Sequence, residues 1–231
     1  MSDDTSSLQR PEPGLIHSLL DELASEFAAP PYDEQIKAAR EEYFERNGKV
    51  FEDDAEIYEA RLVAFLEWYV IERLLPEGAT PVQVALARTP ADPAHAARRR
   101  ALAHIATSHH SLFDIADVRG NRIELEDVIA GARFSVVERR DTIGFEAGTI
   151  VEARVVWDGT APLFAKTFLF HPRDARTEIL NLVDDSLMAG ASRDDVIARL
   201  SHLYLRWHRH GHQNAARIYK GGHTAGPVLL G

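Results

Sequence analysis

The length, composition and charge of this chain exclude several classes of protein. With 231 residues and no cysteine, it can bury a core without disulfides, and it cannot form a cysteine-based zinc finger, an iron–sulfur cluster or a thiol nucleophile. The formal net charge of −10 argues against binding nucleic acid over the whole surface, because such binding depends on neutralising phosphates. No apolar run reaches the roughly 20 residues of a membrane helix, so we expect a cytoplasmic protein without a membrane partner.

The first half of the chain is predicted to be helical. Residues 1–13 are polar, show no periodicity and lack a secretory signal pattern, so they are expected to be a disordered leader. Over residues 14–110 apolar side chains recur at helical spacing, with the widest apolar stripe at 57–71. Asp53 or Asp54 is the expected cap of that third helix. The predicted helices are separated by Pro30-Pro31, Asn47-Gly48, Pro76-Glu77-Gly78 and Thr80-Pro81. His109 and His110 are interpreted as the polar end of the last helix of this half.

After Ser111 the period of the pattern changes from helical to alternating. The five predicted strands cover 112–118, 123–125, 133–138, 149–157 and 163–170. Turn residues such as Gly120 and Asp158-Gly159 separate them, which favours antiparallel neighbours. Strands at this spacing predict a meander over 111–172 that forms either a small barrel or a strongly twisted sheet.

Helical spacing returns after Pro172. One helix is predicted over 175–188 and another over 192–209, where Ser192 is a suitable N-cap. The expected fold class is therefore α+β, with a helical N-terminal half, a small five-stranded antiparallel sheet or barrel and C-terminal helices. The C-terminal helical segment is expected to cover 173–220, and a flexible tail 221–231.

Two stretches of the sequence resemble poorly characterised bacterial proteins. They are Phe65-Leu66-Glu67-Trp68-Tyr69 followed by Leu74, Pro76, Gly78, Thr80 and Pro81, and Leu112-Phe113-Asp114-Ile115 followed by Gly120, Leu125-Glu126-Asp127 and Gly131. The resemblance covers about residues 50–170 and implies a shared fold for that part. Some of the proteins it resembles carry SEC-C-type zinc tails. Because this chain has no cysteine, the resemblance implies no metal ligand here, and it implies no catalytic residue.

The histidines near the C-terminus are candidate metal ligands. His208 and His212 would be neighbours on a continuing helix and could bind a divalent metal with a third ligand from elsewhere. His202 and His210 are further candidates in the same segment. Gly211 weakens the helix at this point, and no glutamate stands between the histidines as in the metalloprotease motif. The alternative is a polar helix end whose histidines complement the helix dipole, with no cofactor.

A local basic patch is the candidate nucleic-acid interface. Its residues are Arg98, Arg99, Arg100, Arg206, Arg209 and Lys220. Tyr204, Trp207 and Tyr219 lie among them, and a small barrel could present stacking residues. The net charge argues against this function, and the helical spacing of Leu200, Leu203, Tyr204 and Trp207 is typical of a packed face.

No motif in the sequence indicates a catalytic mechanism. The phosphate-binding loop, the dinucleotide-binding glycine pattern, the nucleophile elbow and the zinc-protease motif are all absent from the sequence. Glu67 lies beside the apolar stripe and is expected to be buried with an arginine such as Arg61, Arg73 or Arg154, or to be an acid of raised pKa in a pocket. We therefore expect a non-enzymatic interaction or regulatory protein that binds a protein partner or self-associates. Nucleic-acid binding and metal binding are the alternatives.

Overall fold

The structure is a computed structural model that describes residues 14–51, 54–138 and 142–222. The predicted leader over 1–13, and residues 223–231 of the predicted tail, lie outside the described residues. The N-terminal half consists of helices α1 (Leu15–Glu26), α2 (Asp33–Asn47), α3 (Ala55–Ile71), α4 (Pro81–Arg88) and α5 (Ala96–Ala106). After the sheet come α6 (Arg176–Met188), α7 (Arg193–Arg209) and α8 (Ala215–Gly222). In the described part of the chain, no helix combines the length and apolar character that crossing a bilayer requires.

The sheet is antiparallel throughout, as predicted, but it is not a simple meander. Its strands are β1 (His109–Arg119), β2 (Arg122–Asp127), β3 (Arg133–Val137), β4 (Ile150–Trp157) and β5 (Pro162–Phe170), in the spatial order β3-β2-β1-β4-β5. The pairing of β4 with β1 differs from a meander, in which β4 would follow β3. The reason is the length of β1: β2 pairs with it from Phe113 onward, and its first residues, His109 to Asp114, pair with β4.

The sheet is open, so the barrel alternative is wrong. It curls until Cα atoms of β3 and β5 come within 8 Å, but the hydrogen-bonded order ends at these two strands. Phe145, in the connection between β3 and β4, packs on Phe164, Phe168 and Phe170 with ring centroids 5.0–5.4 Å apart. Aromatic packing therefore fills the concave face, and the sheet does not need a closed ladder to bury it.

The other face of the sheet packs against helices in two separate apolar clusters. One cluster is formed by α1 to α5 and includes Val156 of β4, and the other is formed by α6 to α8 and includes Ile150 of the same strand. Because side chains alternate along a strand, Glu152 and Arg154 lie on the same face between these two apolar residues. The charged residues of β4 therefore lie at the seam between the two helical clusters.

Local sequence signals correctly predicted several helix ends. Thr80 and Ser192 each form a capping box, with Gln83 and Asp195 as reciprocal partners. Asp54 occupies the N-cap position of α3, but its carboxylate accepts from the Phe51 amide and from an arginine of α7 and does not cap α3.

Two features of the helical regions differ from the prediction. His109 and His110 begin β1 and do not end a helix. Helix α8 is also additional to the two predicted C-terminal helices, and it includes Gly221 and Gly222, which had been assigned to the tail. Its eight residues carry a weak pattern, and packing of Ala215, Ile218 and Tyr219 in the C-terminal cluster stabilises it.

Candidate functional site

A narrow cleft with about 460 Å³ of empty space, partly open to solvent, lies between α3 and strands β4 and β5. Five titratable side chains from α3, β1 and β4 line it: Arg61, Glu67, His110, Glu152 and Arg154. The remaining wall is mostly apolar and aromatic, formed by Tyr43, Ala60, Ala64, Trp68, Ala153, Thr167, Phe168 and Leu169. A cavity with an apolar wall and converging charged groups is the usual form of a small-molecule site.

Glu152 is the centre of a hydrogen-bonded network in this cleft. The residue is only 7% exposed. Its carboxylate lies 3.2 Å from His110 Nε2 and accepts from the Ser201 hydroxyl of α7 at 3.3 Å. Burial by itself raises the pKa of Glu152. The hydrogen bond from His110 and the charges of His110 and Arg61 lower the pKa by more than burial raises it, so the pKa lies below the usual range. The buried carboxylate is therefore ionised at neutral pH.

Arg61 of α3 links this network to the N-terminal helices. Its guanidinium donates from Nη1 to Ser201 Oγ at 3.2 Å and from Nη2 to the Asn47 carbonyl at 2.6 Å. The side chain is among the largest fully buried ones in the described chain. Burying a guanidinium is costly unless it is hydrogen-bonded, and here α2 and α7 both contribute acceptors for its Nη atoms.

Arg154 of β4 is the second buried arginine of the cleft. It forms an ion pair with Glu72, which follows α3, and donates to Ser108 Oγ at 3.3 Å. Burial by itself raises the pKa of Glu72. The charges of Arg154 and His110 lower the pKa by more than burial raises it, so the pKa is below the usual value. The pair therefore consists of two charged groups that hold the end of α3 against the sheet.

Glu67 is buried as predicted, but its partners are not arginines. Its carboxylate accepts from the backbone amide of Lys166 at 2.5 Å and from the Thr167 hydroxyl at 3.0 Å. The register of β4 and β5 shifts here, so that residues 165–167 of β5 stand opposite the single residue Arg154. A bulge interrupts the regular ladder, and Glu67 accepts hydrogen bonds from two residues within it. The three proposed arginine partners bond elsewhere: Arg61 and Arg154 as above, and Arg73 to Glu42.

Three buried nitrogen atoms in and beside this network have no hydrogen-bond partner among the described residues. They are Nε of Arg61, Nε of Arg154 and Nε2 of His171. Both arginines line the cleft. Buried donors are nearly always paired in folded proteins, so these two guanidinium groups have unused capacity for an acceptor.

The structure separates the four candidate metal ligands into two groups. His208 and His212 lie together with Glu56, and their ligand atoms are within 4.8 Å of one another. In contrast, a ring nitrogen of His202 lies 3.0 Å from the Arg46 carbonyl, and one of His210 lies 2.7 Å from the Arg206 carbonyl. The sequence therefore identified two members of this cluster and could not identify Glu56, which is 152 residues before His208.

The residues of the predicted basic patch lie on helices that pack against different parts of the fold. Helix α5 carries the arginine triplet and packs on α1 and α4, whereas α7 packs on α2, α6 and α8. Arg98 is paired with Glu22 and Arg209 with Asp54, and Arg99 donates to the carbonyls that end α4. The exposed members are Arg100, Arg206, Arg209 and Lys220, and of these Arg209 is the one paired with Asp54. Nucleic-acid binding stays a prediction, and the paired cations have less free charge for phosphates.

The cleft residues His110 and Glu152, and Ser201 that hydrogen-bonds to Glu152, were not identified from the sequence. A signal for Glu152 existed: in the strand Ile150–Trp157 the only charged residues, Glu152 and Arg154, stand at alternate positions of an otherwise apolar run. Two charges on one face of a buried strand indicate a polar site on that face. No comparable local signal marks His110 or Ser201.

Fold and cleft together define an α+β protein with a charged cleft between a helical layer and an open antiparallel sheet. The chain belongs to a family of unknown function, DUF7986, whose model matches residues 18–214. The match supports the coarser expectation of a family without an assigned function, and it shows no resemblance to proteins with SEC-C-type zinc tails. None of the curated proteins and none of the solved structures matches the chain significantly.

Proposed function

We propose that this protein binds a small polar ligand in the cleft between α3 and strands β4 and β5, and that it acts as a non-enzymatic regulatory protein. The observation that carries the proposal is that two buried arginines lining the cleft, Arg61 and Arg154, each have an Nε without an acceptor among the residues that the structure describes. A ligand oxygen in the cleft would satisfy such a donor.

The charges of the cleft favour a zwitterion over an anion. Arg61 and Arg154 are balanced by the carboxylates of Glu67 and Glu152 in the same cavity, and Glu72 already neutralises Arg154. A phosphate or a dicarboxylate would meet these carboxylates at short range, where like charges repel strongly. A free amino acid carries an oxygen pair for the arginines and an ammonium for the carboxylates. We therefore infer an amino-acid-like ligand.

The position of the cleft supports a regulatory role. Its network joins α3 of the N-terminal helices, β4 of the sheet and, through Ser201, α7 of the C-terminal helices. A ligand that binds only when α3, β4 and α7 are in the arrangement seen here would stabilise these three elements together. The protein partner expected from the sequence would then respond to ligand occupancy, because occupancy changes the stability of the surfaces that these parts present.

The proposal is tested by measuring the melting temperature of the purified protein with each of the twenty amino acids, and with phosphate and malonate for comparison. A ligand at about 100 times its Kd stabilises by about 2.7 kcal/mol, which corresponds to a rise of roughly 5–10 °C for a chain of this size. We expect this rise with at least one amino acid and not with phosphate or malonate.

The replacement Ala64→Leu provides the matched blocking variant. Ala64 lines the cleft, so a leucine fills it without changing any charge, and Ala103→Leu on α5 is a control of the same chemistry outside the cleft. The ligand-dependent rise should persist in Ala103→Leu and disappear in Ala64→Leu. An equal rise in both variants, or no rise with any amino acid, contradicts the proposal, and turnover of the ligand contradicts its non-enzymatic part.

A further inference from the structure

Three potential metal ligands meet where the start of α3 contacts the end of α7. Glu56 is in the first turn of α3, His208 is in the last turn of α7, and His212 follows that helix. His208 Nε2 lies 3.3 Å from Glu56 Oε2, and the rings of His208 and His212 are 4.6 Å apart at their centroids and nearly perpendicular. The cleft described above involves none of these three residues.

The end of α7 has a backbone geometry that brings His212 back to His208. The amide of His212 donates to the Trp207 carbonyl at 3.2 Å, and that of Gly211 donates to the His208 carbonyl at 3.1 Å. These two bonds form a Schellman motif with glycine at its left-handed position, where Gly211 has φ +64°. Gly211 therefore ends the helix, as its sequence predicts, and still places the two imidazoles side by side.

His212 itself has φ +59°, which is uncommon for a residue other than glycine. Its ring packs on Trp207 with centroids 4.6 Å apart. The left-handed backbone and this aromatic contact together define the position of the His212 ring relative to His208.

A bidentate ion pair holds Glu56 in register with the two histidines. Arg209, next to His208, donates to both oxygens of Asp54 at 3.1 and 2.7 Å, and it also donates to the Lys49 carbonyl at 2.6 Å. Asp54 immediately precedes α3. Because this pair joins the two helix ends one and two residues from the candidate ligands, Glu56 and His208 are held at a defined separation.

We propose that Glu56, His208 and His212 form a binding site for a divalent metal of the zinc class. Two imidazoles and one carboxylate are the protein ligands of several zinc sites, in which water fills the fourth position. With bonds of about 2.0–2.1 Å, two ligand atoms of tetrahedral zinc are about 3.3 Å apart, which is the distance between His208 and Glu56. The third ligand atom, on His212, lies within 4.8 Å of the other two.

The exposure of the three residues suits a site that loads from solution. The Glu56 side chain is 78% exposed and His208 is 12% exposed, so a metal ion can enter from the Glu56 side. His208 and Trp207, partly buried, form the inner wall. Sites of this ligand type exclude calcium and magnesium, which prefer oxygen ligands.

Zinc titration of tag-free, metal-stripped protein by calorimetry tests the site. We expect one zinc ion per chain. Glu56→Gln should weaken binding about 10-fold, and His208→Gln or His212→Gln should weaken it more than about 100-fold, beyond the typical effect of an outer-shell partner. His202→Gln, within the same helix, and His210→Gln, directly after it, are matched controls. Both should bind zinc like the unaltered chain.

A second measurement uses Trp207, whose ring contacts His212. Copper(II) or nickel(II) bound at the site should quench its fluorescence, and Trp207→Phe should remove that part of the quenching. The melting temperature of each variant without metal shows that it folds. The inference is overturned if the unaltered protein binds zinc sub-stoichiometrically, if the three variants bind it as tightly, or if the controls lose binding equally. Because none of these residues lines the cleft, the amino-acid response is independent of this result.

Discussion

His171 is a buried histidine that is neutral in the folded protein. It directly follows β5, is 2% exposed, and its Nδ1 lies 2.9 Å from the Tyr219 hydroxyl of α8. Burial lowers the pKa of His171 from 6.5 to about 4, and the charge of Glu152 opposes this only in part. Protonation of this side chain therefore occurs more readily in the unfolded chain than in the folded one.

His171 should consequently contribute to the dependence of the stability on pH. Between pH 6.5 and pH 4 the unfolded chain binds a proton at His171 that the folded chain does not, so the free energy of unfolding falls as the pH falls. A difference of this size corresponds to about 3 kcal/mol, lost progressively over that window. Urea unfolding at pH 7.5, 6, 5 and 4.5 measures the loss.

The variant His171→Gln isolates this contribution because glutamine does not titrate. Its stability deficit relative to the unaltered chain should shrink by about 2–3 kcal/mol between pH 7.5 and pH 4.5. The variant His104→Gln on α5 serves as a control, and its deficit should change little. If the deficit of His171→Gln were constant across this range, the pKa of His171 would be the same in the folded and the unfolded chain, and the prediction would be wrong.

At the scale of single elements, the bulge in β5 depends on a helix residue. Residues 165–167 stand opposite one residue of β4, and the carboxylate of Glu67 accepts from the Lys166 amide within this bulge. The hydroxyl of Thr167 is the second donor. Helix α3 thus completes the hydrogen bonding of a strand, which explains how an acidic residue is retained in an apolar stripe.

Replacing Glu67 should expose this dependence. Glu67→Ala removes a carboxylate that accepts from the Lys166 amide and from the Thr167 hydroxyl, and we expect the free energy of unfolding to fall by about 2–3 kcal/mol, because hydrogen bonds to a charged acceptor contribute more than neutral ones. Glu67→Gln keeps a carbonyl oxygen and should lose less. Hydrogen exchange measures the same effect locally: the Lys166 amide should exchange faster in Glu67→Ala than in Glu67→Gln. Equal losses in both variants would show that the charge, and not the acceptor, stabilises the bulge.

At the scale of the whole molecule, the pair between Glu72 and Arg154 joins the N-terminal helices to the sheet. The Arg154 side chain is 3% exposed, so removal of its partner leaves a buried charge. Breaking a buried pair in this way costs about 3–5 kcal/mol, whereas replacing both partners by neutral groups of similar volume costs much less. We therefore expect Glu72→Gln to be less stable than Glu72→Gln combined with Arg154→Met.

The exposed pair between Arg88 and Glu26 is the matched control. Its side chains are 56% and 41% exposed, and a pair of this kind contributes about 0–1 kcal/mol. The single variants Arg88→Met and Glu26→Gln and their double variant form the corresponding double-mutant cycle. Chemical denaturation should show almost no coupling energy between these two replacements. If the double variant at 72 and 154 were as unstable as the sum of its single variants, the two residues would not act as a pair.

The features that sequence reasoning predicted depend on interactions within a few residues. The capping boxes at Thr80 and Ser192 are encoded in short windows and are present in the structure. The predicted strands β4 and β5 also form, but burial does not alternate along them, because β4 is buried on both faces from Ile150 to Val156. Where a local signal was weak, as in α8, packing against the rest of the C-terminal cluster decided the conformation.

The sequence alone determined the α+β class, most helix and strand positions, the absence of thiol chemistry and the pairing of His208 with His212 as candidate ligands. Tertiary structure decided the position of β4 beside β1, the open edge of the sheet, and the arrival of Glu56 at the two histidines. It also decided that Glu152, His110 and Ser201 meet in one hydrogen-bonded network. The physical reason is distance along the chain: periodicity and caps act within one or two turns, whereas these contacts join residues 42 to 152 positions apart, and only the packing of whole elements selects them.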